Sequence, residues 1–222
     1  MPYACPPRTC PGEPTCVVLP AGTSLFRVHS SSRSPLKPKD LPSDRVWGGG
    51  RFDSTDEDPY PFLYAGLSET AALAEVLLRD LDFDPEGGPR RLPLVKLTGK
   101  SFSQLALARD LKLLSLVTTP DLAAVGQDGW LVDAEARDYA FTRAWAVWLR
   151  KQAAWAQGLL WLSKRDRGQR ALVLFGDRVD EDALYEPGTP TLELDGPAGL
   201  RWLDRVLAPY AVEVPRPPAG SR

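Results

Sequence analysis

Residues 92–118 read LPLVKLTGKSFSQLALARDLKLLSLVT. Two short apolar runs stand in this stretch, Leu92-Pro-Leu-Val-Lys-Leu-Thr98 and Leu114-Ser-Leu-Val-Thr118, and each has the length and bounding residues of a strand. The residues between them leave no room for a standard crossover helix with its loops, so a doubly wound parallel sheet is disfavoured. An α+β fold with mostly antiparallel or mixed sheets is the class that fits. Further strands are predicted at Ser24–His29, Phe62–Ala65, Leu159–Leu162, Ala171–Phe175 and Thr191–Leu194. Two helices complete the pattern. Ser68 or Thr70 caps one that runs to about Leu81, with Ala72, Val76 and Leu77 on one face and Glu75 and Arg79 on another. Asp133 caps a longer one to about Gln157, dense in Tyr139, Phe141, Trp145, Trp148 and Trp155, whose aromatic stripe reads as core.

The 222 residues suffice for one domain with a sizeable core, and 43% hydrophobic with 25% charged residues is ordinary globular composition. We expect an extended Pro- and Cys-containing flexible arm at 1–16, a single domain at 17–214 and a disordered tail at 215–222. A net charge of −2 offers no general attraction to nucleic acid. No run of about 18 apolar residues exists to span a membrane, and the N-terminus has no signal-peptide core, so a cytoplasmic protein is expected. Arg outnumbering Lys, with Ile and Asn absent, fits a GC-rich bacterial coding sequence. Cys5, Cys10 and Cys16 match no common zinc spacing and His29 is the only histidine, so no metal site is expected.

The familiar nucleotide and hydrolase signatures are missing. The chain has no GxGxxG, no GxxxxGK[ST] and no GxSxG, and one histidine makes a Ser–His–Asp triad improbable. Asp53-Ser-Thr-Asp-Glu-Asp58 begins like a calcium loop but lacks the required Gly and Glu, and reads as a solvated loop. Lys164, Arg165, Arg167 and Arg170 read first as a solvated basic face. What stands out is a set of polar residues inside apolar strands and helices. Arg27 interrupts Leu25-Phe-Arg-Val28, and a cation there is costly unless an anion meets it. Arg51 follows Gly48-Gly-Gly50, whose backbone can approach a ligand closely. Tyr64, Glu75 and Ser163 are embedded in the same manner, and Trp47 lies just before the glycines.

Taken in order, these residues resemble the RES-domain family. The matching stretches are Leu25-Phe-Arg-Val-His29, Gly49-Gly-Arg-Phe-Asp53, Phe62-Leu-Tyr-Ala-Gly66, Thr70-Ala-Ala-Leu-Ala-Glu75, Gly158-Leu-Leu-Trp-Leu-Ser163 and Arg170-Ala-Leu-Val-Leu-Phe175, within about residues 24–180. Trp161 replaces the more usual Tyr, and Arg51-Phe-Asp replaces Arg-Trp-Asn. The resemblance implies a fold similar to ADP-ribosyltransferase toxins, a split and mostly antiparallel β core with flanking helices that clamps NAD. It implies an NAD-consuming toxin whose usual partner is an Xre-like antitoxin. Nicotinamide–ribose cleavage would pass ADP-ribose to water or inorganic phosphate, with NAD as substrate and no cofactor. The alternatives are mono-ADP-ribosylation of a protein and a catalytically silent binding domain.

The chemistry of the implied residues is consistent with that activity. Breaking the bond develops an oxocarbenium-like cation, which a carboxylate such as Glu75 stabilises while holding the ribose hydroxyls. Arg27 and Arg51 supply forked donors for the pyrophosphate. Tyr64 stacks on nicotinamide, and Ser163 hydrogen-bonds the nicotinamide or the ribose. The catalytic set is thus Glu75, Arg27 and Ser163, and the NAD-binding set Arg27, Arg51, Tyr64 and Ser163.

Overall fold

The computed structural model describes residues 5–43 and 49–214. The strands are β1 (Cys16–Leu19), β2 (Ser24–Ser30), β3 (Phe62–Gly66), β4 (Arg90–Arg91), β5 (Lys100–Leu107), β6 (Leu111–Leu116), β7 (Gly158–Leu162), β8 (Arg170–Phe175), β9 (Leu184–Tyr185), β10 (Leu192–Glu193) and β11 (Val212–Glu213). The helices are α1 (Glu69–Leu73), α2 (Thr119–Ala124), α3 (Trp130–Asp133), α4 (Tyr139–Gln152) and α5 (Pro197–Leu207). A π-helical turn, Ala74–Leu78, continues α1.

Nine strands form one sheet in the order β1-β6-β7-β8-β3-β2-β5-β10, with β9 also on β5. Within it every pair is antiparallel except β6–β7. The α+β class and the split, mostly antiparallel core are what the chain adopts. Short links join β1 to β2 and β5 to β6, and the Gly22 N–H to Leu107 carbonyl bond of 2.8 Å ties these corners together. The sheet therefore curls, and Leu19, Leu25, Leu105, Leu107, Leu111 and Leu113 share one cluster on the inside of the curl.

Strand alternation explains the central segments. In β3, Leu63 and Ala65 enter that cluster, while Phe62 and Tyr64 face the opposite one with Trp161 and Trp145. Both faces are covered, so β3, β7 and β8 read in the sequence as continuous apolar runs. Most important for the site, β2 and β3 pair at one register only, Phe26 opposite Gly66, whereas β2 and β5 pair over seven. Beyond that single pair the two halves of the sheet separate.

Several expectations are corrected. Residues 92–98 are not a strand: Pro93 leads into a 3₁₀ turn at Leu94–Lys96, and Val95 is 78% exposed. The strand lies just after it. Its serines disguise it, because Ser101 and Ser103 are buried through side-chain hydrogen bonds to Ser31 (2.8 Å) and His29 (2.9 Å) rather than through apolar packing. Asp133, expected to cap a helix to about Gln157, instead ends α3, and the predicted helix is reduced to a 3₁₀ turn at Ala136–Asp138 followed by α4. Its C-terminus stops at Gln152 because Arg178 takes the carbonyls of Arg150 (2.9 Å), Ala153 (3.1 Å) and Ala156 (2.9 Å). The acidic stretch is no solvated loop: Asp53, Ser54 and Thr55 are buried, and Asp58 accepts from Arg150 Nε at 2.8 Å. At the N-terminus, the Cys10 thiol and the Gly12 N–H both bond the Ala124 carbonyl, fastening this segment to α2. The 215–222 tail lies outside the described residues.

A cationic cleft at the split of the sheet

Where β2 and β3 part, the π turn that continues α1 forms one wall of a cleft of about 620 Å3. The sequence places the wall there through two residues. Ser68 caps α1, its Oγ accepting from Ala71 N–H at 3.1 Å, a contact worth about 1 kcal/mol. Gly66 lets the start of the helix sit on the strand, since a Cβ there would lie 2.6 Å from Ala72 N. The wide π turn then brings Glu75, Val76 and Arg79 to the cleft together. Val76 had been expected on the apolar face with Ala72, a reading that assumes regular α spacing.

Of the residues singled out in the sequence, Arg27, Arg51, Tyr64 and Glu75 all line this cleft. Glu75 is partly exposed, and its carboxylate lies 3.7 Å from Nη1 of buried Arg51. Arg51 is held in turn by the Ala134 carbonyl at 3.3 Å, and its guanidinium sits 5.4 Å from the ring centre of Tyr139. Arg27 donates through Nη1 to the carbonyls of Pro35 and Lys37. Burial, with Arg33 adding repulsion, brings its pKa down to about 10. The Tyr64 hydroxyl accepts from Phe52 N–H at 2.8 Å, and burial reinforced by the Asp53 charge pushes its pKa well up, so it stays a neutral phenol. Ser163 is placed differently. It follows β7 directly, two residues beyond Trp161, fully buried and outside the cleft lining, and its Oγ has no hydrogen-bond partner among the described residues.

The glycines before Arg51 serve close packing. Gly49 has φ of 74°, and a Cβ on Gly50 would fall 2.6 Å from Asp53 Oδ1 and 2.8 Å from the Tyr64 hydroxyl. Buried Arg143 on α4 holds this loop by donating from Nε to the Gly50 carbonyl at 3.1 Å. Gly48 and Trp47 lie outside the described residues.

Sequence reasoning missed much of the lining. Tyr139, read as core, is buried yet forms the cleft wall between Arg51 and Arg79, the latter 5.6 Å from its ring centre. No local pattern separates such a tyrosine from core. Arg165 belongs to the cluster taken as a solvated face, but it donates to the Arg79 carbonyl at 3.0 and 2.7 Å, pinning the end of the π turn. Lys164 of the same cluster bonds the Asp133 carbonyl at 2.7 Å and the Glu135 carboxylate.

The charges of the cleft are unbalanced. Arg27, Lys39, Arg51, Arg79, Lys96 and Lys100 line it, against Asp53, Glu75 and Asp80. Among the described residues Lys39 lies 3.7 Å from Asp53, Arg51 3.7 Å from Glu75 and Arg79 3.1 Å from Asp80. Arg27, Lys96 and Lys100 have no carboxylate partner among the described residues. Such a cleft attracts a polyanion, and its volume falls in the range of about 300–1,000 Å3 usual for small-molecule sites.

Comparison with known proteins agrees with this geometry. A family model described as the RES domain matches residues 24–195. Among solved structures, a chain in the crystal structure of the M. tuberculosis MbcT–MbcA toxin–antitoxin complex is similar, with a TM-score of 0.55 and 18% identity over 80% of this chain and 86% of that one. No curated protein matches the sequence.

Proposed function

The chain belongs to the RES-domain family, and from that premise we propose that it is a toxin-type enzyme that consumes NAD by cleaving the nicotinamide–ribose bond. The observation that carries the reading is the partly exposed carboxylate of Glu75, held 3.7 Å from Arg51 in a cleft with surplus positive charge. The C1′–N bond breaks, and nicotinamide leaves as a neutral molecule with the bonding electron pair. The positive charge left on the ribose is met by Glu75. An oxygen of water or inorganic phosphate then bonds C1′, and a proton attacking with water is released to solvent. No strong general acid is demanded, which suits a cleft without histidine.

Arg27 and Arg51 hold the pyrophosphate in this reading, and anchoring it fixes the reacting ribose. Tyr64 and Tyr139 offer aromatic surface to nicotinamide. Ser163 is closed off from the cleft lining and is given no part in this reading. The likeness to a chain from a toxin–antitoxin complex supports an Xre-like antitoxin as partner, covering the cleft. The proposed substrate pool is cytoplasmic, and no helix among the described residues is long and apolar enough to cross a membrane.

The test is incubation of purified protein with NAD, with and without phosphate, and product analysis by mass spectrometry. Free nicotinamide is expected together with ADP-ribose or its 1″-phosphate. Label carried onto protein with no free ADP-ribose product would establish the transferase alternative instead.

A further inference from the structure

A second cavity, of about 530 Å3, lies back to back with the cleft. The wall between them is made of two extended segments, residues 37–40 and the chain entering β3. They are joined by the Lys39 N–H to Phe62 carbonyl bond at 2.8 Å and the Phe62 N–H to Lys39 carbonyl bond at 2.9 Å. Alternation along extended chain sends their side chains to opposite cavities. Lys39, Phe62 and Tyr64 line the cleft, whereas Pro38, Asp40, Pro61 and Leu63 line the second cavity. The same wall carries the anchor of Arg27. Its Nη1 donates to the carbonyls of Pro35 and Lys37, and Leu36, between them, lines the second cavity.

The lining of this cavity selects a class of ligand. Leu36, Leu63, Leu174, Val179 and Leu184 make it largely aliphatic, and all five pack in the cluster inside the curl. Its charged residues are Lys37, Asp40, Asp180 and Glu181. Arg109 takes up Asp180 at 2.6 Å. Asp40 and Glu181 then have no cation in ion-pair range among the described residues, against one lysine. The volume falls in the range of about 300–1,000 Å3 usual for small-molecule sites. An apolar body with an ammonium head therefore suits the cavity better than a neutral or anionic molecule of the same shape.

We propose that this cavity binds a small aliphatic amine, and that the bound amine acts on the cleft through the shared wall. Filling the cavity supports Leu36 and Pro38 from behind, so the carbonyls that fix Arg27 are held in place before substrate arrives. Binding stands on the cavity alone, while the effect on turnover rests on the reading that Arg27 holds the NAD pyrophosphate.

Three probes with one ring and different heads separate apolar fit from charge. They are cyclohexylmethylamine, cyclohexylmethanol and cyclohexanecarboxylate, titrated into the full chain with methyl NMR detection. The amine should shift the Leu63, Leu174 and Val179 methyl signals saturably and bind about tenfold more tightly than the alcohol. Asp40→Asn/Glu181→Gln, at two exposed positions, should remove that preference. Val179→Trp, which fills the cavity, should abolish binding of the amine. In NAD turnover, saturating amine should lower KM by about fivefold, the lower end of ordinary couplings between sites, with half the effect at the Kd from NMR. Absence of saturable methyl shifts, an alcohol that binds as tightly as the amine, or saturable binding that leaves KM unchanged would each overturn the proposal. Should no nicotinamide be released with or without amine, the NAD reading fails, and inorganic pyrophosphate then reads the coupling. The amine should raise pyrophosphate affinity by the same factor, and an unchanged affinity overturns the proposal.

Discussion

Arg27 shows how the same burial that weakens a side chain's charge makes that charge useful. Its pKa is brought down from the ordinary guanidinium range to about 10, because the guanidinium is taken out of water beside Arg33. The cost of burying the charged form is therefore present at all pH values below about 10. It is relieved as pH rises above about 10, where the native state has released a proton that the unfolded chain retains. A bound pyrophosphate opposes that release. The KM for NAD should accordingly rise as pH passes 10, with proton uptake on binding in that window. A KM that stays flat from pH 8 to 10.5 would argue that Arg27 does not meet the substrate. Gly50 is a second residue whose role is read from distance alone. Gly50→Ala drives a Cβ into Asp53 and Tyr64, costing about 1–3 kcal/mol at roughly 2–4 °C of Tm per kcal/mol. Activity should fall by more than stability explains, since Arg51 is the next residue. Thermal melts and kinetics on the one variant check both parts.

Among the elements, the π turn at Ala74–Leu78 decides the site, and it was the least legible in the sequence. Arg27, Tyr64 and Glu75 could be picked out because each is polar within an apolar run, and Arg51 because it follows a run of glycines, contrasts visible along the chain. Arg79 shares the face of Glu75 in the helical pattern, as the cleft lining has it, whereas Val76 could not be picked out, because its place depends on the extra width of one helical turn. Tyr139 reads as core by any local measure, and its other role comes from two arginines distant in sequence. β5 was hidden because its buried positions are serines satisfied by partners on other strands. The strands that were recovered, β2, β3, β7 and β8, bury apolar side chains in runs that need no partner to be recognised. The π turn also has a support that can be removed. Arg165 gives its end two hydrogen bonds, so Arg165→Ala should lower kcat by about tenfold with little change in KM, and Arg165→Lys should restore part of it. A change in KM alone would place Arg165 in substrate binding instead.

For the whole molecule, a curled sheet that separates along one strand pair creates a cleft without a Rossmann loop or a P-loop. The single Phe26–Gly66 register is the hinge of that arrangement, and α1 seated on Gly66 keeps the two halves apart. An enzyme of this design that drains NAD should arrest the cells that make it. Expression of the wild-type chain alone should stop growth, while Glu75→Gln should be tolerated at equal protein level, and growth curves with immunoblots check this. The most direct measurement is nicotinamide release from NAD by purified wild-type and Glu75→Gln proteins with matched melting curves. The account predicts turnover in the wild type and a loss of at least about 10²-fold in the variant, the scale of removing one group that stabilises transition-state charge. Equal nicotinamide release by the two folded proteins would contradict it.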